Sequence, residues 1–193
     1  MTGLAAPGTL AQPKPCGECG MCCKLVAVPE LAKAAGVRCR HFAKEQGCTI
    51  QATKPASCRD YQCIWTYAAP LDDSWRPDRA GFILQPGAGN TLEVLPHPAA
   101  PNSWRAEPYY AQLKAWADYR TAGRPLITVR TRGNAIVIFP EEDIDLGPVQ
   151  PDKQIEYGYA EKDGKVQPFA RFIDVSPSLS LARQSLSFPT GAR

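Results

Sequence analysis

Cys16-Gly17-Glu18-Cys19-Gly20-Met21-Cys22-Cys23 opens a run that continues with Cys39, Cys48, Cys58 and Cys63 and closes at Trp65. All eight cysteines of the 193-residue chain lie in this run, and none occurs in the 128 residues that follow it. Cysteine used only for packing would be scattered through the apolar segments. Clustering of this kind points to cross-linking or to metal. The first fifteen residues show neither a basic n-region nor an apolar h-region of a signal peptide. The expectation is therefore a cytoplasmic protein. There thiols stay reduced, and clustered cysteines serve metals or redox chemistry more often than disulfides.

The spacing supports metal. A Cys-x2-Cys turn presents two sulfurs to one ion, and both Cys16/Cys19 and Cys19/Cys22 have it. Zinc takes four such ligands tetrahedrally. Eight thiols would fill two four-cysteine zinc sites, or one site with spare thiols, or an iron–sulfur cluster with others beside it. The softness of thiolate restricts the choice to zinc, iron–sulfur or copper(I). All eight, Cys16, Cys19, Cys22, Cys23, Cys39, Cys48, Cys58 and Cys63, are candidate ligands, for Zn2+ or Fe. Cys22 and Cys23 are adjacent, so their side chains diverge; one is expected to join Cys16 and Cys19, and the other to face a second site or the core. His41, two residues after Cys39, is a further candidate, whereas His97 stands between two prolines and reads as a loop residue. Between Cys16 and Trp65 seven Lys/Arg face four Asp/Glu. That local excess can neutralise thiolate-bound metal, so it does not indicate nucleic acid.

Other signatures fail. The radical S-adenosylmethionine motif needs Cys-x3-Cys-x2-Cys, and the position a bacterial ferredoxin run would fill is Val26. Paired zinc-finger histidines are missing. No Ser/His/Asp set is visible, and no catalytic residue is named.

Cys16-x2-Cys19-x2-Cys22-Cys23 resembles the signature of the CxxCxxCC cysteine-cluster proteins, described as zinc- or iron-chelating. The later elements of that pattern are matched by Cys39, Gly47-Cys48, Lys54-Pro55-Ala-Ser-Cys58 and Tyr61-Gln-Cys63. Lys54 replaces the usual arginine, which keeps the charge but loses the bidentate fork. The resemblance covers about a quarter of the chain. It implies a metal-binding module without fixing its role. A similar cluster occurs in longer flagellin lysine methylases, but no Gly-rich strand–helix loop for S-adenosylmethionine is present here.

The rest of the chain predicts short elements. Hydrophobic content of 44%, a net charge of +3 and nineteen prolines describe a loop-rich globular protein with no membrane-length apolar run. A short helix is expected over 29–35 and a longer one over 106–122, where Tyr109, Leu113 and Trp116 recur at helical spacing beside Tyr110 and form a core-facing stripe. Strands are expected over 81–84 and 91–95. Hairpins are expected over 126–139, turning at Gly133-Asn134, and over 154–173, turning at Lys162-Asp163-Gly164, with Pro168 at a sheet edge. Glu141-Glu142-Asp143 reads as a solvated strand end. The fold class is α+β: a small cysteine-rich, metal-stapled module followed by a small antiparallel sheet with one main helix. The expected organisation is a flexible tail over 1–14, the metal-binding module over 15–68, an α+β region packed on it over 69–175, and a loosely ordered tail over 176–193. The functional expectation is a metal-binding protein of mainly structural or accessory role, open to an unknown protein partner. The alternative is an iron–sulfur redox or electron-transfer protein, or an accessory subunit of an enzyme using that metal.

Overall fold

The structure, a computed structural model, describes residues 14–61, 63–120 and 122–174. Of the tails expected over 1–14 and 176–193, all but Lys14 lies outside the described residues. The chain divides into two compact units, one ending at Arg79 and the other beginning at Ala80. The fold is α+β, with short helices and three separate sheets among the described residues.

The first unit has little regular structure. Its helices α1 (Cys22–Leu25), α2 (Ala56–Arg59) and α3 (Ile64–Tyr67) have four residues each, and its strands β1 (Phe42–Ala43) and β2 (Gly47–Cys48) have two. Helix α4 (Pro77–Ala80) spans its boundary with the second unit. The helix expected over 29–35 is only a 3-10 turn, Pro29–Leu31. Ala32 goes left-handed (φ 49), and Val28 pairs with Lys33 to close the chain back on itself. Lys14, expected in a mobile tail, is tied in. Its N–H donates to Thr66 O at 2.6 Å, and its ammonium reaches Ala68 O and Leu71 O beside the Trp65 ring.

The second unit is built on a five-stranded sheet in the order β3 (Phe82–Pro86), β4 (Thr91–Pro96), β5 (Leu126–Thr131), β6 (Asn134–Ile138), β7 (Asp143–Pro148). Three pairings are antiparallel, but β4 and β5 are parallel. The purely antiparallel sheet expected from sequence is corrected here. The connection between β4 and β5 carries helix α5 (Tyr109–Trp116), and a parallel pair requires such a crossover. Helix α5 is shorter than the expected 106–122, although its stripe behaves as read: Leu113 and Trp116 are buried, and Tyr109 meets Phe82 edge-on at 5.2 Å. Strand alternation puts Phe82, Leu84, Leu92, Val94, Ile127 and Val129 on one face, all buried.

A separate ribbon, β8 (Lys153–Lys162) with β9 (Lys165–Asp174), turns at Asp163-Gly164. Its Ile155, Tyr157, Tyr159 and Ala170 pack against Leu126, Val137 and Phe139 of the sheet. Pro168 sits opposite Tyr159 in this two-stranded ribbon, where every strand is an edge. The β5–β6 turn is Arg132-Gly133, one residue earlier than expected, because Thr131 pairs with Asn134. Strand β7 was not expected. Asp145 and Gly147 are poor strand formers, and they mask the alternation of Ile144 and Leu146. In the acidic run, Glu141 and Glu142 are exposed, as expected of a solvated strand end, and only the Asp143 side chain departs from that reading. Asp143 is buried, paired with Arg105 at 2.6 Å and accepting from the Tyr110 hydroxyl at 2.9 Å. Glu141 pairs with Arg120 and accepts from the Tyr159 hydroxyl.

Tyr119 joins the two layers. Its ring meets Phe139 and Tyr157 edge-on, and its hydroxyl donates to Ile138 O at 2.7 Å while accepting from Ile127 N at 2.9 Å. Burial raises its pKa. Tyr119→Phe keeps the ring but orphans a buried carbonyl and a buried amide, so unfolding free energy should fall by about 1–3 kcal/mol in urea titration. Unchanged stability would show that the hydroxyl bridge contributes nothing.

Candidate metal centre

The first unit gathers its cysteines by short backbone turns. Cys19 N donates to Cys16 O at 3.2 Å and closes the Cys-x2-Cys turn. Cys22 and Cys23 follow at the start of α1. Cys39 N donates to Cys23 O at 2.8 Å and brings the third segment onto α1. Phe42 N returns to Cys39 O, and Phe42 then pairs with Cys48 across β1 and β2. Cys58 lies on α2, which Glu30 holds through the N–H and hydroxyl of Ser57. Cys63 precedes α3, and the bond from Lys14 N to Thr66 O sets it beside Cys16.

All eight cysteines are free thiols. Every one except Cys19 lines a single cavity of about 450 Å³, whose wall also includes Phe42, Lys54, Arg59 and Tyr61. Among the described residues, no three His, Cys, Asp or Glu side chains close on one point as a single bound ion requires. The sulfurs instead stand around a space. His41 does not line the cavity, and its Nε2 accepts from Arg40. His97 is a loop residue whose Nδ1 accepts from Ala99 N.

The thiols differ electrostatically. Interaction between the adjacent Cys22 and Cys23 thiols raises the Cys22 pKa and lowers that of Cys23. Lys33, Arg38 and Lys54 pull Cys23 the same way against its burial. Burial pushes Cys63 up to about 12 and also raises Cys19 and Cys58. The donor set is soft throughout, and cations stand beside it, so the residues suit a thiophilic metal group.

Two supporting residues gave no sequence signal. Lys33 looks like an exposed residue of a short helix but is buried. Its ammonium donates to the carbonyls of Val26 and Ala34 and faces Cys39, Cys23, Cys22 and Cys58. Asp78 accepts from Arg76 at 2.7 and 2.6 Å and from the Cys19 thiol, and the Arg76 guanidinium lowers its pKa. Both depend on chain reversals that local patterning does not encode. No protein-family profile, curated protein or solved structure matches the chain.

Two glycines are required sterically. Gly20 (φ 56) lies under the Phe42 ring, where a Cβ would come within 2.0 Å of a ring carbon. Gly47 (φ 75) faces Gly17 O, 2.5 Å from where its Cβ would stand. Gly36 is also left-handed (φ 77), but nothing lies within 4 Å of its Cβ position. Gly36→Ala should therefore cost only the conformational penalty of about 1 kcal/mol. Gly47→Ala should cost clearly more and raise the reactivity of Cys48 and Cys16 toward a thiol reagent. Equal effects of the two substitutions would show that the close approach to Gly17 is not needed.

Proposed function

We propose that the first unit is a thiolate metal-binding module, holding zinc or iron on Cys16, Cys19, Cys22, Cys23, Cys39, Cys48, Cys58 and Cys63, with a mainly structural or accessory role. The observation that carries this is the convergence of seven reduced cysteines on one cavity in a unit whose described residues form no helix longer than four residues. So little regular structure leaves the fold short of apolar burial, and metal–thiolate bonds supply stabilisation that the core lacks. The resemblance of Cys16 to Cys63 to the CxxCxxCC pattern supports the same reading. The bound metal would fix the loops that carry the sulfurs. Lys33, Arg38 and Lys54 would offset the negative charge of the thiolates. A reducing compartment such as the cytoplasm suits eight free thiols. No helix of the described residues is long and apolar enough to cross a membrane. An accessory role implies a protein partner, for which the tied-down module would present a fixed surface.

A second reading is favoured by the cavity itself. Four sulfurs about 2.3 Å from one zinc ion are in mutual contact and leave no internal space. A space of about 450 Å³ walled by thiols suits a polynuclear group, as in an iron–sulfur redox protein.

Elemental analysis, acid-labile sulfide and a visible spectrum on anaerobically purified protein decide between the two. Zinc without sulfide and without colour supports a structural module. Iron with sulfide, and a visible band that bleaches on reduction, supports the second reading. Metal removal by chelator should expose the thiols and lose the structure of the first unit. Eight freely reactive thiols in folded protein, with no chelator added, would refute both readings.

A further inference from the structure

We propose that the eight cysteines form two ligand sets that open onto the same cavity, each taking its own thiophilic metal group. One set is Cys16, Cys19, Cys22 and Cys63. The other is Cys23, Cys39, Cys48 and Cys58. This rests on the reading that the thiols bind metal. It fixes what the spacing left open, namely how many centres there are and which cysteines share one.

Backbone geometry assigns the sets. Cys16 and Cys19 belong to one turn, and Cys22 follows it directly. The bond from Lys14 N to Thr66 O, with Thr66 N on Cys63 O, brings Cys63 to that turn. On the other side, Cys39 is bonded to the Cys23 backbone, and Cys48 is brought back to Cys39 by the Phe42 pairing. Cys58 joins this side because Glu30 holds the neighbouring Ser57 through its N–H and hydroxyl, and the turn that carries Glu30 is closed by Val28 and Lys33, whose ammonium bonds Val26 O just after Cys23. Cys22 and Cys23 form the seam. Consecutive helical residues point about 100° apart, so each serves its own side. The two sides also differ in charge. Lys33, Arg38 and Lys54 stand by Cys23, whereas Cys19 donates to the Asp78 carboxylate beside Arg76. Two centres in unlike surroundings should therefore release their metal at different chelator strengths.

The test uses the full native chain. Protein is treated with graded chelator, its exposed thiols are alkylated, and each cysteine is quantified by mass spectrometry. The expected result is labelling in two blocks of four with the stated membership. In parallel, Cys16→Ser and Cys58→Ser should each retain about half of the wild-type metal, and the double variant should retain none. The chelator experiment needs no substitution, so a variant that fails to fold leaves the inference testable. Labelling of all eight cysteines together, or in blocks that put Cys22 and Cys23 in one set, overturns it. Wild-type protein that holds no metal and labels fully without chelator overturns the underlying metal reading instead, a distinct outcome.

Discussion

The first unit depends on holding eight thiols together without oxidising them. Sulfurs placed this close raise one another's pKa if they are buried as thiolates, and burial adds to the cost. The chain answers with cations aimed inward. Lys33 is sunk among carbonyls beside the cluster, and Arg38 and Lys54 approach Cys23. The Lys33 charge would be poorly placed in an ordinary core, because a buried ammonium is costly unless something negative faces it. Backbone carbonyls and the nearby thiols face it here.

That arrangement also accounts for the uneven build of the chain. The second unit folds by the usual means, with a central strand buried on both faces, a helix crossing between parallel strands, and an aromatic ribbon laid over Leu126, Val137 and Phe139. Buried polar groups are paired at Tyr119 and at Asp143 with Arg105, while Thr128 Oγ1 is buried without a hydrogen-bond partner. The first unit has no comparable layers. It consists of turns whose backbone bonds place one sulfur after another, and Gly20 and Gly47 permit contacts that any Cβ would block. Such a unit suits ligation better than self-sufficient stability.

The proposed division into two sets makes the adjacent pair the most informative feature of the site. Vicinal cysteines serve one ion poorly, but they can stand between two centres. Cys22 and Cys23, adjacent on α1, would then link the two groups, and loss of one metal would be felt at the other.

The sequence by itself determined the α+β class, both hairpins, the core-facing stripe of α5 and the identity of the eight candidate ligands. Each is written locally, in strand alternation, in Gly-containing turns, in helical spacing and in cysteine spacing. It could not supply the parallel pairing of β4 with β5, the strand β7 hidden by Asp145 and Gly147, or the burial of Asp143. Nor did it show that Lys14 is tied down, that Lys33 is buried, or that Asp78 reaches Cys19. Those are set by residues far apart in the chain. Spacing fixes which side chains a turn can present, but only the path of the backbone between turns decides which of them meet. For the same physical reason the sequence named the eight thiols, and the tertiary structure alone placed seven of them around one cavity.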